Sequence, residues 1–446
     1  MTYNEFKQAV AAEAARAGLS EYDLYYSHRA STTVRAYEGE IDDFSDKTEI
    51  GACLRVIKDN KVGYSHTQCL SAAEAARLVC DASACAAVLE SAGFAQIYSG
   101  GAEYKAVPQF ESTGCDALQL KKMAVELEAL AKAGDKRITA VPYAYVSYMR
   151  SEIGLVNSHG LDLSNVRGGY TVVCEAVAEA DGKRYSGDSA REALMAEAIN
   201  LTELANEAVT FATGSIGGKT VKSGKYPIIF SSRMMREMLD CFQGVFSGDA
   251  AQKGLSLLSG CEGEQIAANI VTLTDDPHRA DSLHKSAFDD EGVPTYVKTI
   301  IENGVLKTLI YDMKSAAKAG IKSTGNGRKG FYAGDINVAP FNMILMPGKK
   351  TPQDLLCGIE QGLYITELKG MHASANAATG DFSLEAKGWL ISGERRERPA
   401  EQFTIAGNFY QLLKDIDAIS DDFLLEGGIG AASVRVSGLA VSGEDV

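Results

Sequence analysis

The side chains that could do chemistry in this sequence are six histidines, a run of three carboxylates and three short strings that imitate known sites. The histidines are His28, His66, His159, His278, His284 and His372; none is followed by Glu and no two are spaced i,i+4. A catalytic zinc needs three protein ligands, so a helix-borne zinc pair is absent. Asp289-Asp290-Glu291-Gly292 concentrates three carboxylates. Such a run could hold a hard cation; the blander reading is a solvated turn that ends on Gly292.

Each imitation fails on its context. Gly214-Ser-Ile-Gly-Gly218-Lys219-Thr220 is one residue short of a phosphate loop, and the Val221–Pro227 stretch beyond it cannot open the helix such a loop requires. It reads as a connector between domains. Gly325-Asn-Gly327-Arg-Lys-Gly330 matches the glycine spacing of a dinucleotide site, yet Phe331–Val338, directly after it, is extended in character rather than helical. It reads as a flexible loop, from which Arg328 and Lys329 could hold the carboxylate of a ligand peptide. Ser315-Ala-Ala-Lys318 has the S-x-x-K spacing of acyl-enzymes, but Ser282-Leu-His-Lys285 has it equally, so the pattern arises here by chance.

The elements that must position these residues are α+β. Thr2 and Glu5 form a capping box for a first helix with Phe6, Val10, Ala14 and Ala15 on one face, ended by Gly18. Strands are expected at 23–27, 32–38, 50–58 and 62–67, then a helix over 71–89. A polar stretch, 99–114, leads to a second unit: helix 116–133, strands 138–149, 153–157 and 169–178, and a long helix over 189–212. Helix, strands, helix, twice over, hints at an internal duplication without visible sequence identity. Past residue 225 the pattern becomes short strands with frequent glycine, and 232–246 is an amphipathic helix. Strands are expected there at 228–230, 296–302, 305–311, 342–346, 366–369 and 383–391, with one or two more over 427–443. The expected domains are an N-terminal part, 1–218, of mixed sheets with packed helices (a module over 1–98 and a middle unit over 115–213), and a strand-rich, barrel-like C-terminal domain with few helices, 225–446.

Composition narrows the function. Of 446 residues, 46% are hydrophobic and 23% charged, as in soluble globular proteins. Lys+Arg 44 against Asp+Glu 59 gives a net charge of −15, which opposes direct binding to nucleic acid or to an anionic membrane surface. The nine cysteines are odd in number, contain no C-x-x-C pair and lie mostly in apolar runs, as buried free thiols do, which suggests a reducing compartment. Neither a leader nor an apolar run of membrane-spanning length is visible, so a cytoplasmic, soluble protein is expected.

Many weak strings, in order along nearly the whole chain, carry a resemblance. They include Tyr37-Glu-Gly-Glu-Ile41, Gly51-Ala-Cys-Leu-Arg55, Asn157-Ser-His-Gly160, Ser223-Gly-Lys-Tyr-Pro-Ile-Ile and Thr274-Asp-Asp-Pro277. Further on come Phe288-Asp-Asp-Glu-Gly-Val-Pro294, Ser323-Thr-Gly-Asn326, Gly380-Asp-Phe-Ser383 and Glu401-Gln-Phe-Thr-Ile-Ala406. Together they resemble the TldD/PmbA family, whose members are often labelled modulators of DNA gyrase or peptide-maturation proteins.

The resemblance implies a choice between two branches. Catalytic TldD-type subunits carry H-E-x-x-x-H on a helix, with a later cysteine, to hold a metal. Alignment on Gly248-Asp249 puts Leu239 and Gly244 at the histidine positions and Asp240 at the glutamate, and Ile419-Ser-Asp-Asp422 stands in the cysteine's neighbourhood. Gly370-Met-His-Ala-Ser-Ala-Asn376 and the residues after it favour the PmbA (TldE) branch. The implied function is the non-metallated subunit of a heterodimeric metalloprotease acting on unfolded peptides, with zinc expected only in the catalytic partner. His372, Ser374, Asn376 and Arg328 are the candidate peptide-facing residues. Two alternatives stay open: a self-assembling (homodimeric) binding or structural protein, and a peptidase-like enzyme that uses other residues such as Asp289–Glu291.

Overall fold

The computed structural model describes residues 1–88, 93–112 and 114–444. In its N-terminal part a helix, three antiparallel strands and a second helix occur twice. The first set is α1 (Tyr3–Arg16), β1 (Tyr22–Tyr37), β2 (Glu40–Lys58), β3 (Lys61–Thr67) and α2 (Ala72–Val88). The second is α3 (Ala117–Gly134), β4 (Ile138–Asn157), β5 (Asp162–Ala180), β6 (Lys183–Ala193) and α4 (Leu201–Gly214). All six strands share one sheet, ordered β3-β2-β1-β4-β5-β6. Its centre is the antiparallel β1–β4 pair, so an approximate two-fold axis through that pair relates the sets.

The duplication is therefore one of topology, and one packing device survives in both copies. A Cβ added at Gly63 on β3 would come 1.9 Å from the Ala82 carbonyl oxygen and 2.6 Å from the Ala86 nitrogen on α2. One added at Gly187 on β6 would come 2.6 Å from the Ala208 oxygen and 2.2 Å from the Ala212 nitrogen on α4. Only glycine permits that approach of helix to strand, and in both copies it meets two alanines four residues apart.

Several expected boundaries move. The breaks anticipated at 27–32 and 149–153 vanish, because the polar residues there face each other across the central pair. His28 pairs with Glu152, Arg29 with Ser151 and Ala30 with Arg150, which keeps the ladder intact. The long helix expected over 189–212 is wrong in its first half. Ser189–Ala193 completes β6, opposite Cys174–Tyr170, and α4 begins only at Leu201, where the Asn200 side chain caps it by accepting from the Glu203 amide at 3.1 Å. Ala15 is exposed rather than on the buried face of α1. Leu89, at the end of the expected second helix, lies outside the described residues.

The C-terminal part opens with β7 (Gly224–Phe230), α5 (Ser232–Phe242), α6 (Gly248–Gln252), β8 (Leu273–Asp275), β9 (Lys298–Glu302) and β10 (Val305–Leu306). Next come α7 (Met313–Ala319), β11 (Gly327–Lys329), β12 (Ile336–Val338) and β13 (Met343–Leu345). The remainder is β14 (Gln361–Lys369), α8 (Met371–Ser374), β15 (Asp381–Ser392), β16 (Arg395–Asn408) and α9 (Phe409–Asp415), then β17 (Ile416–Ile419), β18 (Leu424–Glu426), β19 (Ile429–Ala431) and β20 (Val434–Ser442).

Strands β16-β15-β14-β7-β20 close into a five-stranded barrel through the β16–β20 pairing. A second six-stranded sheet is ordered β10-β9-β8-β13-β19-β18. Met234, Met235, Met238, Leu239 and Phe242 of α5 join both sheets in one core, with Leu363 and Ile405 from the barrel and Leu273 and Met343 from the second sheet. The expected strand over 305–311 is a strand only at Val305–Leu306, with one further bridge from Ile310 to Ser247. Conversely, the sequence pattern does not reveal β16, because its charged first half hides the alternation that makes it a strand. No helix among the described residues is long and apolar enough to cross a membrane.

Candidate functional site

The Ser231 hydroxyl caps α5 by accepting from the Met234 amide at 3.3 Å. The helix continues past Phe242 as a 3₁₀ turn, Gln243–Phe246. Its end is fixed by the Phe242 ring, stacked on Phe409 with centroids 4.6 Å apart. This segment carries the three positions where the resemblance looks for H-E-x-x-x-H, and they do not share a surface. Leu239 is buried in the core at 1% exposure. Asp240 is exposed and accepts a 2.6 Å hydrogen bond from Gln243 Nε2. Gly244 is also exposed, and a Cβ there would meet only open space.

Gly244 opens onto a shallow groove of about 870 Å³ whose walls include Leu255, Ser374, Asn376 and Phe382. The sequence thus separates by 130 residues what the fold brings together. Asn376 organises the far wall: its side-chain oxygen accepts from the Ala378 and Thr379 amides at 3.0 and 3.2 Å. Gly380 closes that turn at φ +82, against the Tyr410 ring. His372 is exposed on α8, next to the wall but not part of it.

Arg328 does not belong to this groove. Its side chain is 16% exposed, 3.7 Å from Asp290, with the guanidinium 3.9 Å from the centroid of the Phe341 ring. Burial holds its pKa below the usual arginine range. The string that imitates a dinucleotide loop is a β11–β12 hairpin against the N-terminal sheet, not a flexible loop. Lys329 is buried as well, donating to the Gly334 carbonyl at 2.8 Å.

The acidic run is likewise no solvated turn. Asp289, Asp290 and Glu291 are 0%, 6% and 3% exposed, and backbone amides occupy their oxygens. Asp289 accepts from the Glu291, Val293 and Gly327 amides at 3.0, 2.9 and 2.9 Å. Asp290 accepts from Lys329 N at 2.7 Å and Glu291 from Met313 N at 2.8 Å. Glu291 also faces Arg55, which binds Asp23. Burial raises the Glu291 pKa to about 7, against the lowering effect of Arg55, and burial with the Glu291 charge raises Asp289 well above the carboxylate range. This is a clamp between the N-terminal sheet and the C-terminal part. Sequence reasoning missed Arg55 and Asp23; the available signal was Arg55 itself, a lone charge inside the apolar run Ile50–Ile57.

Among the described residues no three His, Cys, Asp or Glu side chains converge as metal donors. The segment where the later cysteine is sought is closed on itself: Ser433 donates to Asp422 from its amide at 2.8 Å and its hydroxyl at 2.6 Å. Of Leu239, Asp240 and Gly244 only Asp240 carries a donor, and one carboxylate does not hold a zinc ion; Asp381, on the groove wall, is bound by Asn408. All nine cysteines are free, but only Cys53 and Cys174 are buried, so the expectation that most are buried thiols fails.

A barrel fused to a two-fold α/β sheet, with a groove at the end of the helix that packs the barrel on the second sheet, defines an α+β fold. Residues 22–86, 115–216 and 223–443 match, in turn, PmbA/TldA metallopeptidase domain 1, the central domain and the C-terminal domain. The chain belongs to the PmbA/TldD metallopeptidase family. It is similar to a Thermotoga maritima protein described as a candidate modulator of a DNA gyrase, with 32% identity, TM-score 0.91 and coverage of 99% of this chain and 100% of that one. TldE from Thermococcus kodakarensis shares the fold at TM-score 0.89 and 24% identity, covering 98% and 99%. A metalloprotease TldD homologue of Haemophilus influenzae is also 24% identical, over 92% of this chain and 87% of its own. Overall identity therefore does not choose the branch; individual residues must.

Proposed function

We propose that this chain is the non-metallated, TldE-like subunit of a metalloprotease that cleaves unfolded peptides, working beside a metal-bearing TldD-like homologue in the cytoplasm. One observation carries the reading: Leu239 is packed into the core and Gly244 opens bare onto the groove, where the catalytic branch would present two imidazoles. Activating a water for peptide hydrolysis at neutral pH needs a metal or a strong base beside it; Asp240 is hydrogen-bonded to Gln243, and Asp381, the carboxylate on the groove wall, accepts from Asn408 Nδ2 at 2.9 Å. What this chain contributes is shape. On the groove wall Ala375 presents extended backbone, bridged to Phe382, of the kind that pairs with an unfolded peptide.

Two features support the rest of the reading. Nine unpaired cysteines suit a reducing compartment, and the charge of −15 disfavours DNA as the direct target. The alternative in which Asp289–Glu291 do the chemistry loses its footing, since all three are buried and hydrogen-bonded to amides. The test is proteolysis of a disordered peptide by this chain, by a TldD-type homologue and by the mixture, each with and without chelator. Cleavage is expected to be strongest in the mixture and to be lost on chelation. Chelator-insensitive cleavage by this chain alone would overturn the proposal.

A further inference from the structure

A second cavity, of about 590 Å³, lies where α4 meets the barrel and shares no lining residue with the Gly244 groove. Its volume is that of a small-ligand site, roughly 300–1,000 Å³. Phe211 of α4, Tyr364 of β14 and Trp389 of β15 give it aromatic walls. Bulges at Ile365/Glu367 and Ala386/Gly388 interrupt β14 and β15 beside it; such bulges re-aim side chains.

Six charged residues line the cavity: Arg191, Arg233, Arg396, Glu207, Asp421 and Asp422. Four are already engaged. Arg191 pairs with Glu207 at 2.8 Å, and Arg233 with Asp188 at 2.6 Å and Glu237 at 3.2 Å. Asp422 is taken by Ser433. Arg396 and Asp421 form no ion pair among the described residues. Arg396 lies over the Tyr364 ring, 3.6 Å from its centroid, which steadies the guanidinium and leaves N–H donors for a ligand.

One unspent cation beside aromatic walls suits a singly charged planar anion joined to an apolar group. A multiply charged anion would meet Glu207, Asp421 and Asp422 as well. We propose that this cavity binds the C-terminal end of a peptide: Arg396 forks onto the terminal carboxylate, and Phe211 and Trp389 pack the last, aromatic or aliphatic side chain. The inference takes its ligand class from the peptide reading above, but the binding needs neither a metal nor a second subunit.

Trp389 is the chain's single tryptophan, so its emission reports on this cavity alone. The experiment titrates the full chain with N-acetyl-Ala-Ala-Phe, with its C-terminal amide and with inorganic phosphate, followed by fluorescence and by calorimetry. The acid should give a saturable change in emission, the amide should bind at least about tenfold more weakly and phosphate should not saturate. Arg396→Gln, at an exposed position, should weaken the acid roughly 10–100-fold and leave the amide unchanged. Phe211→Ala, read by calorimetry, should weaken both. Equal binding of acid and amide, an R396Q variant that binds as well as the parent, phosphate binding as tight as the acid, or no signal with any peptide at millimolar concentration would each overturn the proposal. If the acid binds and the two-subunit mixture fails to cleave, the peptidase reading falls and this site stands.

Discussion

Arg55 on β2 reaches across the junction between the two parts of the chain to Glu291, with Nη1 3.3 Å from Oε1 and side chains 6% and 2% exposed. Its other side binds Asp23 on β1. Removing the cation leaves two carboxylates in a desolvated place, so Arg55→Met should cost roughly 3–5 kcal/mol of stability. The loss should be larger at pH 8 than at pH 5, where Glu291 is protonated. Chemical denaturation at both pH values checks this; a loss under about 1 kcal/mol at pH 8 would mean the pair is wetter than its burial implies.

The same carboxylates set a pH dependence. Glu291 keeps its proton to about pH 7 in the folded chain, against an ordinary value of 4.5. Between those limits the folded state holds a proton that the unfolded state has released, so stability falls as pH rises from about 4.5 to about 7, then levels off. Asp289 contributes with the same sign. Thermal midpoints measured across that window should decline, and Glu291→Gln should flatten the slope. A midpoint that climbs steadily from pH 5 to 7 in the parent and is unaltered in E291Q would contradict this assignment.

The glycines of the duplicated half should behave as a matched pair. Gly63→Val and Gly187→Val each force a helix off its strand, and each should cost about 1–3 kcal/mol or more. Gly39, whose added Cβ would meet nothing, is the steric control, although its φ of +82 adds a backbone cost of its own. If only one of the two valine variants is destabilised, the two packing contacts are not equivalent.

Histidines placed at the two positions where the resemblance looks for them should differ sharply in cost. Gly244→His enters open space and should change stability by no more than about 0.5 kcal/mol. Leu239→His puts a polar ring in the core and should cost roughly 3–5 kcal/mol. Denaturation midpoints of the two single variants separate these cases, and equal costs would show that Leu239 can turn outward.

The sequence by itself determined the local elements wherever one face is buried and the pattern is regular. The α1 capping box and the apolar stripe of α5 were legible because they depend on neighbours three and four residues away. So was the absence of any histidine from Ser232–Phe246, since residue identity decides it. Only the tertiary structure decided what depends on distant partners. The polar stretches His28–Ser31 and Arg150–Glu152 look like breaks until each is set against the other, when their backbone hydrogen bonds make a continuous ladder. Asp289–Glu291 look solvated until Arg55, 236 residues before Glu291, and the backbone amides of Gly327, Lys329 and Met313 close over them. Charge in a sequence says that a partner or water must be found; which of the two it is depends on burial, and burial is set by the packing of segments far apart along the chain.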